Sequence, residues 1–357
     1  MSAAVGKVAI IGAGTMGGGI AITTALAGIE TMLIDTSADS LARAGARLDA
    51  YLARQLGKGR IDAATRDRAR ANLSTATQMT ACAGADLVIE AVFEKLDVKH
   101  SVLRDIEPLV GPDCVIATNT SCLKVSHIAA VLERPGRCIG LHYFSPAEIN
   151  PVVELVLGAQ SSTAAVDLAA GFLAVTGKQA LSCRDRNGFA LNRFFCPYCN
   201  AAVQCVEDGL GTPAQVDAVA AALFDQPIGP FAATNIVKPA IMLHSLENLT
   251  PLGAFYAPAE LLRQKVQEGT VWEIGRADPL APDTEAVIRQ RLKGAVYLPL
   301  RDLLDEGVAD GSDVDRGAAL ALRFGNGPVA MLRSEAVDAQ DLAIKAARER
   351  VSAVVMA

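Results

Sequence analysis

Two groups of residues in this 357-residue chain have the types and spacing to do chemistry. The first is Gly12-Ala13-Gly14-Thr15-Met16-Gly17, a G-x-G-x-x-G run that directly follows the apolar stretch Lys7–Ile11 and opens a helical pattern. In such a turn Gly12 allows the tight bend, Gly14 lets a pyrophosphate approach the backbone, and Gly17 lets helix and strand pack closely. The helix start over Thr15, Met16 and Gly17 then offers N–H groups and a partial positive charge to phosphates. Asp35 closes the next strand, eighteen residues after Gly17. A carboxylate there accepts ribose hydroxyls and repels a 2′-phosphate. Thr36 and Ser37 follow with no Arg, so the expected cofactor is NAD rather than NADP.

The second group is His142 with Glu154. His142 is one of four histidines (His100, His127, His142, His244), and it alone ends an apolar strand where ligands are expected to bind. Glu154 interrupts Val152-Val153-Glu154-Leu155-Val156, and a carboxylate there needs a buried partner. A nearby imidazole would satisfy it and gain basicity from it. Beside a nicotinamide, such a pair is suited to take a hydroxyl proton while hydride leaves the carbon. Glu90 and Glu94 follow one strand and Asn119-Thr120-Ser121 another, which brings more polar groups to the same edge.

To gather these residues the first half must alternate strand and helix. Apolar runs at 30–35, 85–92, 114–117, 137–143, 152–156 and 178–182 join Lys7–Ile11 as strands. A helix is expected over 15–27, followed by a long Arg- and Ala-rich helical stretch to about Ala71, broken at Gly57-Lys58-Gly59. This pattern predicts an α/β Rossmann domain, a doubly wound parallel sheet covered on both faces, over residues 1–186. After Arg186 the pattern is helical alone, and it repeats without gaps at an offset of 98 residues. Arg193 falls on Arg291, Asp208-Gly209 on Glu306-Gly307, Val216-Asp217 on Val314-Asp315, and Gly229-Pro230 on Gly327-Pro328. The expectation is an all-α domain made of two repeated helical units, 187–280 and 281–357, joined by a Pro-rich linker around 278–282.

With 51% hydrophobic and 20% charged residues the chain is a packed globular protein rather than a disordered one. No apolar run approaches the roughly 20 residues that span a membrane, and a net charge of −6 argues against nucleic acid as a partner. Met1 to Gly6 carry no basic-then-apolar leader pattern, so the expected location is cytoplasmic. Residues 41–72 hold eight basic side chains against three Asp, which reads as a solvated helical hairpin or as a patch for a polyphosphate such as coenzyme A. The eight cysteines follow no disulfide framework. Cys196 and Cys199 are expected on one buried helix face, with no metal site.

Taken in order, the glycine run, Glu90-Ala91-Val92-Phe93-Glu94, Asn119-Thr120-Ser121 and His142-Tyr143-Phe144-Ser145-Pro146 with Glu154 resemble the L-3-hydroxyacyl-CoA dehydrogenase family. Gly188-Phe189-Ala190-Leu191-Asn192-Arg193 matches the start of that family's helical domain. The HYFSP form and the doubled helical unit are most similar to the dehydrogenase portion of multifunctional fatty-acid-oxidation enzymes. The resemblance implies reversible, NAD-dependent oxidation of a 3-hydroxyacyl-CoA to the 3-oxoacyl-CoA, a reaction of fatty acid β-oxidation. It implies His142 as base and Glu154 as its carboxylate partner, Ser121 and Asn192 on the substrate oxygens, and Glu94, Lys99 and Asn119 around the nicotinamide ribose.

Departures from the pattern sit at Ser145, where many members have Asn, and at 233–239 and 271–274. They bear on the acyl group. Relatives with one helical unit pair as homodimers, so a second unit implies a monomer with an internal pseudo-dimer, a homodimer being the alternative. Two other functions fit the same fold: dehydrogenation of a free 3-hydroxy acid of the carnitine or sugar-acid type, and non-catalytic NAD binding. The basic hairpin favours the thioester. The set His142, Glu154, Ser121 and Asn192 favours turnover, since a purely structural role has no use for all four.

Overall fold

Short runs of aliphatic and β-branched residues become strands where helices keep both sheet faces from water. A computed structural model, which describes residues 5–355, places eight of them in one sheet. They are β1 (Lys7–Ile11), β2 (Glu30–Ile34), β3 (Leu73–Ala76), β4 (Leu87–Glu90), β5 (Val115–Thr118), β6 (Cys138–Tyr143), β7 (Val152–Leu157) and β8 (Gln179–Arg184). Their order is β3-β2-β1-β4-β5-β6-β7-β8, so the direction of winding reverses between β1 and β4. Ligands bind beyond the carboxyl ends of the strands at such a reversal. Helices α1 (Thr15–Leu26), α2 (Ala38–Gly57), α3 (Ala63–Asn72), α4 (Leu96–Ile106), α5 (Val125–Ala129) and α6 (Thr163–Val175) connect the strands. Ile10, Ile20, Leu33, Leu48, Ile89 and Leu141 form the fully buried centre of this unit. Residues 1–4, on which most of the leaderless reading rests, lie outside the described residues.

Two expectations are corrected. The sheet is not parallel throughout: β6 and β7 run antiparallel, while the other neighbouring pairs are parallel. Segment 144–151 between them is shorter than the dozen or so residues a parallel crossover needs, so the chain turns straight back. The second correction is β3, an edge strand the sequence did not suggest. Leu73 is its one buried residue, too little to leave a hydrophobic pattern.

A second compact unit begins at Arg186. Its α-helices are α7 (Asn192–Glu207), α8 (Pro213–Phe224), α9 (Pro230–Val237), α10 (Pro239–Leu249), α11 (Glu260–Glu268), α12 (Pro282–Asp305), α13 (Gly311–Ala321), α14 (Pro328–Ser334) and α15 (Val337–Val355). Helices α8, α9 and α10 start 98 residues before α13, α14 and α15, the offset of the sequence repeat. The bonds repeat as well. Asp217 accepts the N–H groups of Phe231 and Ala232 at the start of α9, and Asp315 accepts those of Val329 and Ala330 at the start of α14. Among the described residues no helix is long and apolar enough to cross a membrane. All eight cysteines are buried without a disulfide, and among the described residues no cluster of His, Cys, Asp and Glu is placed to hold a metal ion.

Candidate active site

The glycine turn is shaped by close approaches. Gly12 has φ +106°, and a Cβ there would lie 2.6 Å from the carbonyl oxygen of Ala91, so only glycine lets β1 turn beside β4. A Cβ on Gly17 would overlap the carbonyl oxygen of Gly12, which is why α1 packs so close to β1. At Gly14 a Cβ would meet nothing within 4 Å, and the backbone there is open to a ligand. The Asp35 carboxylate accepts the Ala13 N–H at 2.7 Å and the Ser37 N–H at 2.8 Å, which ties the end of β2 to the turn. No acidic residue stands in the first turn of α1 to cancel its positive end. An open glycine backbone, a helix start and a carboxylate at the second strand fit the pyrophosphate and ribose of a dinucleotide.

At the antiparallel step of the sheet, His142 on β6 faces Glu154 on β7 directly in register. His142 Nδ1 and Glu154 Oε2 are 2.6 Å apart. Glu154 is fully buried and His142 is 5% exposed, so little water competes for this bond. A carboxylate on Nδ1 fixes the tautomer that carries its lone pair on Nε2. The Phe144 ring lies 4.5 Å from the imidazole, tilted against it, and limits its rotation.

Between β4 and β5 lies a buried charge cluster. Lys99 of α4, 1% exposed, donates to both oxygens of the wholly buried Glu90 at 2.9 and 3.0 Å, and pairs with Glu94 at 3.1 Å. Glu90 also accepts the Thr118 hydroxyl and the Val92 N–H. Burial alone would lower the Lys99 ammonium, but the two glutamates outweigh it and raise it. Glu94 in turn accepts the Thr120 hydroxyl, the N–H and hydroxyl of Ser121, and the Cys122 N–H. Burial would raise its carboxyl, yet Lys99 and these donors hold it at about 2. Asn119 accepts the Tyr143 N–H at 2.9 Å and so joins the end of β5 to β6.

The structure therefore brings Glu94, Lys99, Asn119 and Ser121 together, with Asn119 bound to the residue after His142. Gly12, Gly14, Thr15, Met16, Gly17 and Asp35 form the neighbouring turn on β1 and β2. Asn192 opens α7 in the second unit. Lys99 is buried between two glutamates, where the sequence suggested a group reaching a ribose. Sequence reasoning placed Glu90 at this edge without a role, although an acid inside an apolar strand was the same signal that singled out Glu154. It also missed Glu148, in the segment after β6, whose two carboxylate oxygens both accept from Nη2 of Arg47 at 2.7 Å, while Nη1 donates to the Thr15 carbonyl. In the basic hairpin Arg47, Arg66 and Arg70 pair with Glu148, Asp67 and Asp49. Arg43, Arg54, Lys58, Arg60 and Arg68 form no ion pair among the described residues.

Comparison with known proteins points to the same fold and cofactor. Residues 7–186 match the family described as 3-hydroxyacyl-CoA dehydrogenase, NAD binding domain, and residues 188–276 match its C-terminal domain. A 3-hydroxybutyryl-CoA dehydrogenase of Bradyrhizobium diazoefficiens is 32% identical over 271 residues, 75% of this chain and 92% of that protein. A 3-hydroxyadipyl-CoA dehydrogenase of Escherichia coli is 30% identical over 332 residues, 89% of this chain and 70% of that protein. The crystal structure of a 3-hydroxybutyryl-CoA dehydrogenase from Escherichia coli superposes with a TM-score of 0.87 at 23% identity, covering 98% of this chain and 96% of that one, and so shares its fold. With both domains of the family matched in order over residues 7–276, this chain belongs to the 3-hydroxyacyl-CoA dehydrogenase family, and its first unit is an NAD-binding domain.

Proposed function

We propose that this protein oxidises the hydroxyl of a 3-hydroxyacyl-CoA to the 3-oxo group, reversibly, with His142 as the general base. The observation that carries this reading is the buried 2.6 Å His142–Glu154 pair at the end of β6, on the same edge of the sheet as the glycine turn after β1. NAD, when bound, supplies the hydride acceptor. The lone pair on His142 Nε2 takes the hydroxyl proton as hydride leaves the carbon, and the Glu154 carboxylate favours the imidazolium that results. Gly12, Gly14, Thr15, Met16, Gly17 and Asp35 hold the dinucleotide. Glu94 and Asn119 bound the nicotinamide ribose, and Lys99 acts there through Glu94. Ser121 and Asn192 take the substrate oxygens, a role carried over from the resemblance. Coenzyme A is favoured over a free acid by the exposed cations of the α2–α3 hairpin, which suit a polyphosphate. We further propose that the chain works as a monomer, its helical units 187–280 and 281–357 packed as a pseudo-dimer.

The test is a nicotinamide-absorbance assay over short, long, branched and cyclic 3-hydroxyacyl-CoAs and their free acids. Relatives named for 3-hydroxybutyryl-CoA and 3-hydroxyadipyl-CoA put short and dicarboxylic acyl groups first. His142→Ala should lower kcat by about a hundredfold or more. Glu154→Gln should lose turnover while keeping its affinity for NAD. Normal turnover by His142→Ala would refute the mechanism, and equal rates on thioester and free acid would refute the substrate class.

A further inference from the structure

We infer that Glu306, in the second helical copy, is a positioning residue for Asn192 in the first; this rests on the reading above that gives Asn192 to the substrate. The chain reaches Asn192 through two consecutive left-handed residues, Gly188 at φ +73° and Phe189 at φ +50°. A side chain strains that conformation, and it persists only where surrounding structure holds it. A Cβ at Gly188 would lie 2.6 Å from the Leu249 side chain and 3.0 Å from the Arg193 nitrogen, so the turn is packed tightly on its own helix. Phe189 is fully buried and Arg193 is 1% exposed.

What anchors Arg193 comes from the other copy. Its guanidinium grips both carboxylate oxygens of Glu306, with Nη1 to Oε2 at 3.0 Å, just after α12 ends. Arg186 Nε lies 3.6 Å from the same Oε2. Glu306 is thus held by two arginines that flank the left-handed turn before Asn192. A two-pronged arginine–carboxylate contact fixes orientation as well as distance.

The repeat supplies an internal contrast. Arg291 and Asp208, the counterparts of Arg193 and Glu306, form the reciprocal ion pair. Yet residues 286–290, the counterparts of 188–192, lie inside the continuous helix α12, and Gln290 stands where Asn192 does. One bridge steadies a strained turn ahead of a residue assigned to substrate. The other steadies plain helix.

The test compares full-length Glu306→Gln, Arg193→Lys and Asp208→Asn on the best acyl-CoA of the panel, with NAD affinity and melting temperature measured alongside. Misplacing a substrate-binding group by about 1 Å can cost on the order of a hundredfold. Glu306→Gln should lower kcat about tenfold or more with NAD affinity within about twofold of wild type. Arg193→Lys, which keeps the charge and loses the fork, should behave alike. Asp208→Asn should keep kcat while losing similar thermal stability. Equal losses of kcat in Glu306→Gln and Asp208→Asn, or no loss of kcat in Glu306→Gln, would overturn the inference. A wild type inactive on every 3-hydroxyacyl-CoA would overturn the functional reading and the inference with it.

Discussion

Glu94 stands among an ammonium, two hydroxyls and two backbone N–H groups, which hold its carboxyl at about 2 against an ordinary 4.5 despite its burial. A carboxylate depressed in the folded state adds stability that is complete above its unfolded value and is lost as pH falls toward the folded one. The window here runs from about 4.5 down to about 2. Over it the protein should lose roughly 2–3 kcal/mol through this one group. Urea unfolding at pH 6, 4 and 3 should show that slope in the wild type and a flatter one in Glu94→Gln; parallel curves would assign the slope to other acids. The same residues show what side-chain chemistry reveals in advance. Glu154 was legible because an acid in an apolar strand demands a partner, and the antiparallel register placed His142 opposite it. Lys99 was not. Its sequence neighbours give no sign that two glutamates, five and nine residues before it, close over its ammonium.

At the scale of elements, the helical repeat rests on caps that reach between helices. Asp217 on α8 accepts two N–H groups at the start of α9, at 2.7 and 3.1 Å, and Gly229 is needed because a Cβ there would strike the Asp217 carboxyl. That explains why Val216-Asp217 and Gly229-Pro230 recur together 98 residues on, and why the repeat was visible before any fold was. Burial pushes the Asp217 carboxyl up to about 6 against the pull of those two N–H groups. A neutral amide should therefore recover part of the cap, its one oxygen taking one of the two N–H groups. Asp217→Ala should cost about 2 kcal/mol by stranding one buried and one part-buried donor, and Asp217→Asn about 1 kcal/mol, since it still satisfies one of them. Thermal melts of both variants check the order; an equal cost would mean the charge matters and not the acceptor. Strand direction was less legible than helix repetition. Apolar runs encode burial, not orientation, so β7 read like its parallel neighbours, and only the short segment 144–151 held the signal that it turns back.

For the whole molecule the question is how many chains make one enzyme. A twofold interface is self-complementary: residue i of one unit meets residue j of the other, and j meets i. Within this single chain Arg193 meets Glu306 while Arg291 meets Asp208, the reciprocal contact that two subunits would make. An aromatic core joins the copies at the same place. Phe324 of the second copy lies 5.9, 5.7 and 5.3 Å, centroid to centroid, from Phe194, Tyr198 and Phe224 of the first. Their counterparts are Gln226, Leu292, Val296 and Leu322, so the two halves are no longer interchangeable. A surface whose partner is covalently attached and individually tailored has little to offer a second chain. Sedimentation equilibrium at micromolar concentration should therefore return the chain mass of 37.2 kDa. The melting temperature should not vary with concentration, as it would if folding were linked to association. A tight dimer would mean that the helical repeat forms an interface between chains and that the reciprocal ion pairs do not close the molecule on itself.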